Sequence, residues 1–109
     1  MYWENVMHTA ADKVEIDFSN VDLVANMLKV LANPDRLKIL CKLAEHELSV
    51  QQIEACTEIH QPTLSQQLTV LRNNDIVMTR RDGKQIFYQL SDPKIITLMQ
   101  TLYQLYCQN

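Results

Sequence analysis

The hydrophobic period of this chain changes twice. Through Asn74 apolar residues recur at helical spacing; after Asp75 they alternate around a central Asp82-Gly83; after Ser91-Asp92-Pro93 helical spacing returns. A short alternating stretch folded about an Asp-Gly pair is a β-hairpin signal. The chain must therefore set one hairpin between a group of helices and a final helix, in the order α-α-α-α-β-β-α. With 109 residues it has room for one domain.

Local signals mark each helix. In NVDLVANMLKVLA, Val24, Leu28 and Leu31 share a stripe with Val21 and Met27 beside it. Asn33 suits an N-cap and Pro34 the first turn of PDRLKILCKLAE, whose Leu37, Leu40, Cys41 and Ala44 share a face. Ser49 with Gln52 three residues later reads as a capping box opening SVQQIEAC, and TEIH is a turn. QPTLSQQLTVLRNN follows with Pro62 in its first turn and Leu64, Leu68 and Leu71 as its buried stripe. In the hairpin, Val77, Ile86 and Tyr88 can face one side. Residues 1–19 are an acidic extension ahead of a domain at 20–109, since residues 1–22 carry five carboxylates against one lysine.

Two short helices joined by a tight turn and followed by a hairpin make a winged helix-turn-helix. Near the start of its second helix, Gln61, Thr63, Ser65, Gln66 and Gln67 are uncharged donors and acceptors of the length that reads base edges. A merely solvated face would carry Lys and Glu, whereas residues 61–71 carry no charge. Arg80, Arg81, Lys84 and Gln85 cluster at the hairpin tip, where they can meet phosphates or the minor groove, and Arg72 can meet the backbone. The plainer reading of those charges is protection of an edge strand. The net charge of −3 argues mildly against nucleic acid, but binding depends on the contacting face. The last helix is apolar over much of its circumference, more than a terminal helix of a monomer should expose, which points to a dimer. A twofold dimer would present two reading helices to half-sites roughly 34 Å apart on double-stranded DNA.

The three cysteines, Cys41, Cys56 and Cys107, are too few and odd in number for a disulfide framework. Each can be a small buried hydrophobe. Cys107, third from the end, is either incidental or a thiol meant to be reached. No stretch is long and apolar enough to span a membrane and the N-terminus does not read as a secretory signal, so a cytoplasmic protein is expected. No motif calls for a cofactor or metal.

The run LANPDRLKILCKLAEHELSVQQIEACTEIHQPTLSQQLTVLRNNDIVMTRRDGKQIFYQLSD resembles the ArsR family of winged-helix bacterial repressors, and the resemblance covers about residues 20–108. It implies a homodimer through the first and last helices, here Val24, Leu28, Met99, Leu102, Tyr103 and Tyr106, and repression relieved by an inducer. Two metal sites known in the family are absent: Ser49 stands where metal sensors carry a cysteine, and no histidine follows Asp92 on the last helix. Cys41 in ILCKL and Cys107 in LYCQN are instead similar to the cysteine pair of the family's sulfide- and redox-responsive subgroup. The resemblance implies that they are the sensor thiols, bridged as a disulfide or polysulfide by reactive sulfur species, with Cys56 incidental. Pro62 and Gln67 depart from the residues common in relatives and bear on which bases are read.

Competing readings are a thiophilic-metal sensor using Cys41, Cys107 and His46 or His60, and a general oxidant sensor with the same two thiols. Others are an anti-silencing activator, a winged helix that binds protein rather than DNA, and a thiol oxidoreductase. The last lacks a CxxC pair, and no phosphate loop or nucleophile triad points to an enzyme of any other kind.

Overall fold

The computed structural model describes residues 17–107, so most of the acidic extension lies outside the described residues. Helix α1 spans Val21–Leu31, α2 Pro34–Leu43, α3 Val50–Thr57, α4 Thr63–Asn73 and α5 Pro93–Tyr106. Strands β2 (Val77–Asp82) and β3 (Gln85–Leu90) form the expected hairpin. A two-residue strand, β1 (Leu48–Ser49), adds to the expected order and completes an antiparallel sheet ordered β1-β3-β2. Two residues are too few to show an alternation, which is why β1 left no trace in the pattern.

Helix α2 is the centre of the molecule. It packs against α1, α3, α4, α5 and β3, and its Ile39 and Leu40 are completely buried. The stripe expected from Leu37, Leu40, Cys41 and Ala44 is correspondingly wider: Ile39 and Leu43 join the core, while Leu37, Cys41 and Ala44 are half-buried. A helix with neighbours on several sides needs an apolar arc broader than one stripe.

The helix ends are made by side chains. Asn33 accepts a hydrogen bond from the Arg36 N–H, with Pro34 at the first helical position. Around α3 the capping box is complete: Ser49 accepts from the Gln52 N–H and the Gln52 side chain accepts from the Ser49 N–H. That helix stops at Glu58, which is left-handed at φ 59°. Thr57 Oγ1 then donates to the Ile53 carbonyl and accepts from the Ile59 N–H, drawing Ile59 into the core and fixing the turn toward α4.

Helix α4 ends in a Schellman arrangement. Asp75 is left-handed at φ 58°, its N–H donates to the Arg72 carbonyl, and the Ile76 N–H donates to the Leu71 carbonyl. Ile76 is buried and leads into β2. The hairpin closes through Gly83-Lys84, with Asp82 opposite Gln85 and Gly83 at φ 65°, the positive value a two-residue hairpin loop takes at its first position. Val77 and Tyr88 lie on the core side as expected, joined by Leu90, and Ile86 on the same face is half-buried. No helix among the described residues is long and apolar enough to cross a membrane.

The two ends of α3 should respond in opposite directions to substitution. Ser49→Ala removes a cap and leaves an N–H unpaired, lowering stability by about 1 kcal/mol or more. Glu58→Gly relieves a left-handed side chain and raises stability by up to about 1 kcal/mol. Urea titration of the two variants checks both signs.

Candidate functional site

Helices α3 and α4 form the helix-turn-helix pair, the candidate reading head. Leu64, Leu68 and Leu71 bury one side of α4. On its outward side Gln66 is exposed, accompanied by Thr69 and Asn73, which the sequence reading did not single out. Their signal was their place opposite the leucine stripe. Thr69 Oγ1 donates to the Ser65 carbonyl, and Thr63 is half-buried at the helix start. Gln61 works as a cap: its Oε1 accepts from the Ser65 N–H at 3.0 Å and from the Ser65 hydroxyl at 2.7 Å. The Gln61 amide N–H groups stay outside that bond, and the Ser65 oxygen keeps acceptor capacity.

Gln67 Oε1 accepts from Arg36 Nη1 at 2.9 Å, while Arg36 Nε donates to the Val30 carbonyl. The side-chain oxygen is therefore engaged within the chain, at the junction of α1, α2 and α4. One guanidinium ties the last turn of α1 to the reading helix.

The wing divides its charges. Pairing of Arg80 with Phe87 and of Arg81 with Ile86 puts the two arginines on opposite faces of the hairpin. Arg80 is already engaged: Nη2 donates to Glu47 Oε1 at 2.7 Å, Nε donates to both Glu47 oxygens at 2.9–3.0 Å, and the guanidinium carbon lies 4.6 Å from the Phe87 ring centroid. Arg80, expected among the wing's DNA contacts, is thus held by an intrachain carboxylate while its side chain stays half-exposed. Arg81, Lys84, Gln85 and Arg72 are exposed, and among the described residues none of the three cations is paired with a carboxylate.

The sensor candidates lie at the other side of α2. Cys41 is half-buried and lines a groove of about 530 Å³ with Ala44, Glu45, Met99, Gln100, Tyr103 and Gln104, so it faces α5. Cys107 is the exposed C-cap of α5, its N–H donating to the Tyr103 carbonyl. Burial pushes the Cys41 thiol above its ordinary pKa, and the negative charge of Cys107 and then of Glu45 push the same way, against a smaller opposite pull from Lys42. The field of Cys107 is thus felt at Cys41. Cys41 also lines a second groove, of about 480 Å³, toward α3, where Cys56, Lys38 and Lys42 are among the neighbours. All three thiols are free. His60 pairs with Glu54 at 3.2 Å in the reading head and His46 is exposed. Among the described residues no three His, Cys, Asp or Glu side chains converge as a metal site.

Residues 33–79 match the family model described as bacterial regulatory protein, arsR family. The chain is 54% identical over 84 residues to the biofilm growth-associated repressor of Agrobacterium fabrum, covering 77% of this chain and 72% of that one. It is 42% identical over 82 residues to the transcriptional activator HlyU of Vibrio cholerae, covering 75% and 76%. The crystal structure of the transcriptional repressor BigR from Xylella fastidiosa superposes with a TM-score of 0.78 at 49% identity, over 83% of this chain and 92% of that one. The chain belongs to the ArsR family. Its fold is the winged helix-turn-helix of those regulators.

In this ArsR-family chain the first and last helices leave apolar surface uncovered. On α1, Leu23 is 70% exposed and Val21, Val24 and Leu28 are also exposed; on α5, Tyr103 is 52% and Tyr106 80% exposed, with Leu105 beside them. A groove of about 420 Å³ runs between α1 and the start of α5, lined in part by Leu23, Val24, Met27, Val30 and Ile95. Met99, expected on a dimer face, is only 1% exposed and is consumed by the protomer's own core, with Leu102 packed beside it.

The raised Cys41 pKa keeps less of this thiol as thiolate near neutral pH, so it should alkylate more slowly than the exposed Cys107. Iodoacetamide labelling followed by peptide mass spectrometry across pH 6.5–9.5 should show this order. Cys107→Ser removes a like charge and should shift the Cys41 labelling profile to lower pH.

Proposed function

We propose that this protein is a homodimeric transcriptional repressor that binds operator DNA and is released when reactive sulfur bridges Cys41 and Cys107. The DNA reading rests on one arrangement: the uncharged outward face of α4 beside the exposed Arg81 and Lys84 of the wing. Bases are read where no charge has to be desolvated, and phosphates are met where cations are available. Gln66 is the principal base reader, with Thr63, Ser65 and Gln61 at the helix start, while Arg72, Arg81, Lys84 and Gln85 meet the backbone. The exposed apolar faces of α1 and α5, through Val24, Leu28, Tyr103 and Tyr106, join two protomers so that two reading heads act together.

The thiol reading is supported by the groove from Cys41 to α5 and by the influence of Cys107 on Cys41. The exposed Cys107 thiolate attacks the outer sulfur of an organic persulfide and expels the organic thiolate, becoming a persulfide itself. The Cys41 thiolate then attacks the inner sulfur, forms the disulfide and expels hydrosulfide; a further sulfur transfer before closure gives a polysulfide bridge. Two thiols are oxidised and the sulfane sulfur is reduced. The bridge ties α2, which supports the reading head, to α5, which carries an apolar face. Changing their relative position changes the separation of the two heads, and DNA is released. One relative is named a repressor and another an activator. The same contacts serve activation where the protein displaces another DNA-binding protein.

The test has two readouts. A duplex is first selected from a random-sequence pool by the reduced protein, and its affinity followed by fluorescence anisotropy. The reduced protein is then exposed separately to organic persulfide, glutathione disulfide and peroxide, and cross-links are located by mass spectrometry. A Cys41–Cys107 bridge carrying added sulfur only with persulfide, together with release of the duplex, supports reactive-sulfur sensing; the same plain disulfide with every reagent makes it a general oxidant sensor. Cys107→Ser should bind the duplex as tightly as the wild type and stay bound after persulfide. Full release by that variant would discard the two-thiol mechanism.

A further inference from the structure

Arg80 is the wing residue whose surroundings least fit a phosphate contact. Its side chain crosses the sheet from β2, passes over Phe87 on the middle strand β3 and reaches Glu47, the residue just before β1. Both carboxylate oxygens of Glu47 are occupied; the Glu47 side chain is 25% exposed and that of Arg80 51%, so the carboxylate is partly shielded while the guanidinium stays open to solvent on one side. A bidentate arginine–carboxylate pair stacked on an aromatic ring has a fixed direction, unlike a mobile surface pair. Asp82 adds a second carboxylate at 3.8 Å. A phosphate approaching Arg80 would have to displace or lie beside these negative charges, whereas Arg81 and Lys84 offer it none among the described residues.

Glu47 also stands at a particular place in the chain. It lies four residues beyond the end of α2, in the segment that runs from Glu45 on the Cys41 groove into β1. The bond therefore joins the tip half of β2 to the segment leaving the central helix. We propose that Glu47 and Arg80, stacked on Phe87, form a clamp that sets the angle of the wing for DNA, so that Arg80 is a positioning residue and not a phosphate contact. This rests on the DNA-binding reading above and deepens it.

The two roles predict opposite signs for one substitution. Glu47→Gln removes a negative charge beside the wing and leaves every cation in place. Electrostatics alone would tighten DNA binding, and a phosphate-contacting Arg80 would be freed to bind better. A clamp instead loses its geometry, and affinity for the selected duplex should fall about three- to tenfold. The charge exchange Glu47→Arg with Arg80→Glu separates the roles again. It rebuilds an ion pair across Phe87 and should recover much of the affinity lost in Arg80→Ala; a phosphate contact would instead be replaced by a repelling carboxylate, giving weaker binding than Arg80→Ala.

The experiment is anisotropy with the full chain and that duplex at two salt concentrations, with circular dichroism and thermal melts verifying that each variant is folded. Failure of the wild type to bind any duplex from the pool would remove the DNA reading and the clamp with it. Tight wild-type binding with Glu47→Gln equal or stronger, or an exchange variant below Arg80→Ala, would overturn the clamp alone.

Discussion

The burial of α2 is the condition for everything else in the molecule. Ile39 and Leu40 are fully buried, and the elements packed on their helix are the two reading-head helices, the first and last helices and the middle strand. A core packed at crystalline density transmits displacement rather than absorbing it. A change in how α5 sits on α2 would therefore be passed on to the elements packed around α2, the reading-head helices among them. Under the proposed function, that packing is the route from a thiol on α2 to the DNA-facing surface.

Two arginines turn that packing into defined angles. Arg36 holds the carbonyl of Val30 and the amide of Gln67, so α1 and α4 share a fixed point at the start of α2. Arg80 holds Glu47 and lies on Phe87, so the hairpin is tied to the segment after α2. Both are polar links at the margins of an apolar core. Apolar packing supplies most of the stability, and directional bonds at the periphery select one arrangement from several of similar packing energy.

Local signals made much of this architecture legible in the sequence. Asn33-Pro34, Ser49 with Gln52, Asp92-Pro93 and Asp82-Gly83 all act within four residues of themselves, and each ends or begins an element where its chemistry requires. The features that escaped depend on distant partners. Gln67 is bound by Arg36, thirty-one positions earlier, and Arg80 by Glu47, thirty-three positions earlier, and no local pattern announces either pairing. Met99 shares the apolar character of its helix with residues that remain exposed, and only the fit of α5 onto α2 decides which of them is covered. Periodicity gives the arc of a helix that is apolar; it does not divide that arc between one chain and a second.

Cys41 faces two grooves, one toward the end of α5 and one toward Cys56 on α3. Three thiols cannot all be satisfied within one chain, because bridges consume them in pairs. Closing Cys41 onto Cys107 leaves the exposed Cys56 as the odd member, on the outside of the reading head. The parity of the cysteines thus sets a ceiling on self-contained bridging: past the first bridge, a further disulfide must recruit a second molecule, whether a small thiol or another copy of the chain.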